Sequence, residues 1–120
     1  MIVRAKDLRK TSQENLRGGK GRIDMTHFME PEDSYNSGRL FAMATIPPGA
    51  SIGEHPHIDE YEIYHVVDGE VYVTDNGSDP VKLERGDCMV CKDGDSHSIE
   101  NKSSRDATML FLVLFPHDKK

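Results

Sequence analysis

The sequence predicts an all-β domain, either a sandwich or a closed barrel. Three observations lead there. From Ile23 onward the chain falls into short runs rich in Val, Ile, Tyr and Phe, separated by Gly, Pro, Asn and Asp. No stretch carries the 3.6-residue apolar period of an amphipathic helix. Several runs are apolar on both faces, whereas a sheet wetted on one side would alternate cleanly.

Taken in order, residues 1–20 are polar and weakly periodic, with one short helical turn at 7–9. The stretch Leu16-Arg17-Gly18-Gly19-Lys20-Gly21 resembles a phosphate loop only superficially, since it lacks the full spacing and the Ser/Thr after the lysine. Strand-like runs follow: IDMTHFM (23–29), RLFAMATI (39–46) stopped by Pro47-Pro48-Gly49, SIGEHPH (51–57), and YEIYHVV (61–67) stopped by Asp68-Gly69. EVYVTD (70–75) and PVKLE (80–84) flank Asn76-Gly77, a strong hairpin signal because both residues tolerate positive φ. After the turn Arg85-Gly86-Asp87 come CMVC (88–91), HSIEN (97–101) and ATMLFLVLF (107–115). In YEIYHVV, Ile63 and Val67 oppose Tyr64 and Val66, and MLFLVLF is apolar throughout. Such strands face a barrel interior on one side and a second sheet or subunit on the other, so a homodimer is expected.

With 120 residues the chain is long enough for one core, read here as a domain over 23–116, a basic arm over 1–22 and a tail over 117–120. The net charge of −6 divides unevenly: residues 1–22 have a balance of +5 and the remainder −11. No nucleic-acid-binding motif accompanies the basic stretch, so no nucleic-acid partner is expected, and the arm is read as packing on its own acidic body or a partner's. The longest apolar run, 107–115, is too short to span a bilayer, so no membrane partner is expected. The N-terminus has no apolar segment of the signal-peptide kind, and two cysteines make no disulfide framework; the expectation is a cytoplasmic protein. Cys88 and Cys91, three apart on a strand, fall on opposite faces, and with no second pair they read as buried thiols rather than a zinc site.

The chemistry gathers in residues 49–69, GASIGEHPHIDEYEIYHVVDG. His55 and His57 are two apart, so on a strand both imidazoles point to one side. Glu62 shares the parity of Tyr64 and Val66, and an adjacent antiparallel strand would bring its carboxylate opposite the histidines. His97 is the fourth candidate. Three nitrogens and one oxygen suit one divalent transition metal per chain, from among Mn, Fe, Co, Ni and Zn. His27, His65 and His117 read as surface or hydrogen-bonded histidines, His65 having the opposite parity to Glu62. Glu54, Asp59 and Glu60 read as loop carboxylates, of which one could orient a histidine.

These residues resemble a known family. Gly49-x5-His55-x-His57-x4-Glu62-x6-Gly69 matches the first cupin motif throughout. Gly86-x5-Lys92-x-Gly94-x2-His97-x3-Asn101 matches the second, with lysine where the family usually has proline. The resemblance, to small single-domain metal-binding cupins, implies a double-stranded β-helix (jelly-roll) barrel with a metal near one mouth held by His55, His57, Glu62 and His97. It implies that the motif glycines serve turns, that Asn101 closes the second motif structurally, and that Lys92 stands near the rim of the site.

The family makes two classes of function available. One is an enzyme acting on a small chelating oxygen substrate (a carboxylate, 2-oxo acid or enediol) by dioxygenation, decarboxylation or isomerisation. The other is a non-catalytic metal or small-ligand binding or sensor module. Oxalate decarboxylases of the family place an arginine shortly before the first histidine. Residues 50–54 contain no basic side chain, which leaves Lys92 or Arg39 to supply one. Glu54, Tyr64 and Lys92 are the candidate acid or base groups, and no catalytic residue is assigned.

Overall fold

In the computed structural model, which describes residues 1–117, the central strands bury alternate side chains, including those of runs that are apolar on both faces. Among the described residues the strands are β1 (Lys10–Glu14), β2 (Arg22–His27), β3 (Gly38–Ile46), β4 (Ser51–Pro56), β5 (Tyr61–Asp68), β6 (Glu70–Asp75), β7 (Val81–Glu84), β8 (Cys88–Cys91), β9 (Ser96–Glu100) and β10 (Ala107–Leu114). Short 3-10 turns at Ala5–Asp7, Leu16–Gly18 and Pro31–Ser34 join the first of them. The strands form two antiparallel sheets in the orders β1-β2-β3-β10-β5-β8 and β4-β9-β6-β7, a jelly roll. No described helix is long and apolar enough to cross a membrane.

The core lies between the sheets. Tyr64 and Val66 of β5, Met109 and Phe111 of β10, and Ile46 of β3 meet Ile52, Val71, Val73 and Ile99 of the smaller sheet, all buried. Asn101, fully buried, ties the two motifs together: its Nδ2 donates to the carbonyls of Ile46 (2.7 Å) and Arg105 (2.8 Å), and its Oδ1 accepts from Ser103 N (2.9 Å). All four motif glycines have positive φ. At Gly69 (φ 81°) a Cβ would also lie 2.8 Å from the Asp106 carbonyl, so glycine is required twice over.

Two expectations change, and a third falls almost wholly outside the described residues. The basic stretch 1–22 is not all arm, because residues 10–14 form the edge strand β1, paired with β2 in the register Lys10↔Thr26 to Glu14↔Arg22. KTSQE buries no side chain, so apolar alternation gives no sign of it; backbone pairing makes the strand. Only one thiol is buried: Cys91 is in the core, while Cys88 is exposed with Sγ 3.0 Å from His65 Nδ1. The tail expected at 117–120 lies outside the described residues apart from an exposed His117. Outside the larger sheet, the cross-strand rows Phe41–Leu112–Ile63–Val90 and Met43–Leu110–His65–Cys88 leave a mainly apolar face partly open.

Candidate metal centre

The four donor candidates come from three strands and the turn after β4. His55 on β4 stands directly across from His97 on β9, and His57 follows the end of β4, with its backbone bonded to Asp95 O (3.2 Å) and Gly94 N (2.7 Å). An extra residue in β4 between Ile52 and His55 forms a bulge. Ile52 and His55 both point inward despite being three apart. Glu62 is not on a neighbour of β4, as the sequence suggested. β5 lies in the other sheet between β10 and β8, so the carboxylate meets the histidines across the barrel interior.

Donor atoms of His55, His57, Glu62 and His97 all lie within 4.8 Å of one another, and all four residues are buried. Glu62 Oε1 is 2.9 Å from His57 Nε2 and 3.6 Å from His97 Nε2. His97 is the telling member: it is 0% exposed, and neither ring nitrogen has a hydrogen-bond partner. An unpaired buried polar atom costs on the order of 1–3 kcal/mol, so a site that holds one open is shaped for something to bind there.

Supporting bonds fix which nitrogen each imidazole presents. His57 Nδ1 donates to Glu60 Oε1 (2.6 Å) and His55 Nδ1 to the Gly53 carbonyl (2.7 Å), which leaves both Nε2 atoms for the cluster. Glu60 is itself clamped by Arg39, Nε to Oε2 at 2.6 Å and Nη2 to Oε1 at 2.7 Å. Arg39, opposed by burial but helped by His57, holds the Glu60 carboxyl at about 2. Burial depresses His55. For His57 burial acts the same way, but the hydrogen bonds to Glu62 and Glu60 outweigh it and its basicity is raised. Burial alone would raise Glu62, yet His57 and His97 hold it below the usual carboxylate range. Three nitrogens and one carboxylate oxygen, oriented in this way, fit a single metal site.

Residues 42–113 match the family model of the cupin domain. The chain belongs to the cupin family. It is 40% identical over 114 residues to the oxalate-binding protein of Thermotoga maritima, covering 95% of this cupin and 93% of the relative. Among solved structures it resembles a predicted oxalate decarboxylase of Thermotoga maritima, with TM-score 0.90 and 39% identity over 97% of this chain and 100% of that one. A cupin-superfamily sugar phosphate isomerase of Silicibacter pomeroyi, at 16% identity and TM-score 0.74 over 97% and 76% of the two chains, shares the fold.

A cavity of about 430 Å³ opens over the donor cluster of this cupin, walled by hydrophobic Leu16, Met25, Leu40, Ile52 and Phe111 and by polar Thr11, His27 and three arginines, 9, 17 and 39. Arg39 reaches it because it is the extra residue where the register with β10 slips: Val113 faces Leu40 while Leu114 faces Gly38. Neither that bulge nor the 21-residue reach from Arg39 to Glu60 leaves a mark on apolar periodicity. Lys92, expected at the rim, is exposed and lines no part of the cavity, and neither does exposed Glu54. Tyr64 does point inward, packed on His97 (5.1 Å between ring centroids) and Phe111 (4.8 Å). Burial and then the Glu62 charge push its hydroxyl well above the ordinary tyrosine range, so it stays protonated.

Proposed function

We propose that this cupin holds one divalent transition metal through His55, His57, Glu62 and His97 and binds a small chelating dicarboxylate, of the oxalate class, in the cavity above it. The observation that carries the reading is His97, fully buried with both nitrogens unpartnered among three other donors. A cavity lined by three arginines favours an anionic ligand. The oxalate-binding relative, of nearly equal length, supports the choice of class. The donor set suits Mn, Fe, Co, Ni or Zn, and such an ion supplies Lewis acidity toward a chelating oxygen ligand when bound. The chain's own residues then orient the donors (Glu60, Gly53), exclude water (Phe111, Ile52, Leu40) and give the cavity a cationic lining.

Protein purified without added metal is expected to hold about one transition metal per chain, which His97→Ala loses while remaining folded. It is also expected to bind oxalate in calorimetric titration. Full metal content in the variant sinks the donor assignment, and metal without oxalate binding sinks the ligand class.

A second reading, decarboxylation of the bound ligand, is favoured by one observation. His27 stands in the cavity wall, bonded to Thr11 Oγ1 (2.9 Å), with a basicity lowered first by burial and then by Arg9, so that its ring is uncharged at neutral pH and free to accept a proton. Release of CO2 and formate from oxalate would establish turnover; its absence leaves a binding protein. The open apolar face of the larger sheet is read as the seat of a second copy. Two copies are complementary in charge, each offering a +5 segment to a −11 body.

A further inference from the structure

The three arginines around the cavity are not equivalent. Arg9 gives Nε and Nη2 to Glu30 at 2.6 and 3.0 Å, and Arg39 gives the same two atoms to Glu60 at 2.6 and 2.7 Å. Both charges are already matched inside the protein. The Arg17 guanidinium makes no ion pair or hydrogen bond among the described residues, yet it lines the same cavity as His55, His57 and Glu62.

The backbone beneath Arg17 is unusual. Its φ and ψ of 55° and 31° are left-handed, a conformation that crowds Cβ of an L-residue and that Gly or Asn adopt far more readily. The surroundings impose it. Leu16, one residue earlier, packs on the core. Asn15 N bonds to Gly21 O (3.0 Å), and Lys20 exchanges bonds with Ser51 through Lys20 N to Ser51 Oγ and Ser51 N to Lys20 O, both 2.9 Å. Gly19 and Gly53 permit the approach: a Cβ on Gly53 would overlap the Arg17 carbonyl, and one on Gly19 the Ser51 carbonyl. A tightly built turn thus lies against β4, two residues from the first donor histidine, and places an exposed, unmatched cation at the cavity wall. Strain of this kind persists where a side chain must be aimed.

We propose that Arg17 is the ligand's cationic partner, taking the carboxylate oxygens that face away from the donor cluster and so setting a preference for dicarboxylates over monocarboxylates. This rests on the ligand class proposed above. The test compares oxalate with glycolate, which can chelate but lacks the second carboxylate, in metal-loaded wild-type protein, Arg17→Asn and Arg17→Lys. Asparagine accepts the left-handed backbone, so Arg17→Asn is expected to melt no lower than wild type and to keep its metal. Its oxalate dissociation constant is expected to rise about tenfold or more, the loss of a charge-assisted contact. Glycolate binding should change by less, and Arg17→Lys should fall between. Oxalate affinity within about twofold of wild type in Arg17→Asn, at equal metal content, overturns the assignment of Arg17 alone. Failure of the wild type to bind oxalate at all overturns the ligand class and this inference with it.

Discussion

His57 divides its two nitrogens between different tasks, and Glu60 enforces the division. With Nδ1 donating at 2.6 Å to a carboxylate that Arg39 pins from the far side, the ring can neither rotate nor exchange tautomers, and Nε2 is committed to the cluster. Glu60→Gln keeps the shape but weakens both bonds, and we expect it to lower metal affinity by about 10- to 100-fold in competition with a chelator, with little change in melting temperature. His27 sets a pH dependence of stability. Burial, reinforced by Arg9 and opposed by Glu30, lowers its pKa from 6.5 in the folded chain. The unfolded chain therefore takes up the proton first as pH falls, so stability is complete above 6.5 and declines below it until the folded histidine titrates too. Chemical denaturation between pH 7.5 and 5 should show this decline, and His27→Gln should flatten it.

At the scale of elements, the central strands were legible because burial writes itself into sequence. The runs at 39–46, 61–67, 70–75, 88–91 and 107–115 appear as β3, β5, β6, β8 and β10 with ends displaced by at most one residue. His55 and His57 were likewise visible through their spacing, and Glu62 and His97 through the resemblance to the cupin motifs; the four meet in space, although Glu62 arrives from the opposite sheet. What stayed hidden was held by backbone geometry instead. β1 buries no side chain, the Arg39 bulge arises from register, and the turn carrying Arg17 owes its place to two glycines that interlock with β4. Those glycines give a direct expectation. Gly53→Ala forces a Cβ onto the Arg17 carbonyl, and the displacement should cost roughly 1–3 kcal/mol in urea denaturation.

For the whole molecule, the outer face of the larger sheet bears on the proposed pairing of two copies. Met43, Val67 and Val90 are exposed there beside partly covered Phe41, Ile63, Leu110 and Leu112, a mainly apolar surface of the kind that marks interaction sites. Light scattering is expected to give twice the 13.5 kDa chain mass, and Leu110→Asp to reduce it toward one chain; a monomeric wild type would refute the pairing.

The family-matched block, residues 42–113, contains every donor of the metal cluster, whereas Arg9, Arg17 and Arg39 all precede it. The donor cluster and the cavity arginines thus come from successive stretches of one chain, joined where the turn at 15–21 lies along β4 and where Arg39 holds Glu60. Under the function proposed above, substitution of Arg17 would alter what the cavity recognises without touching a donor, whereas a change at Arg39 would reach His57 through Glu60.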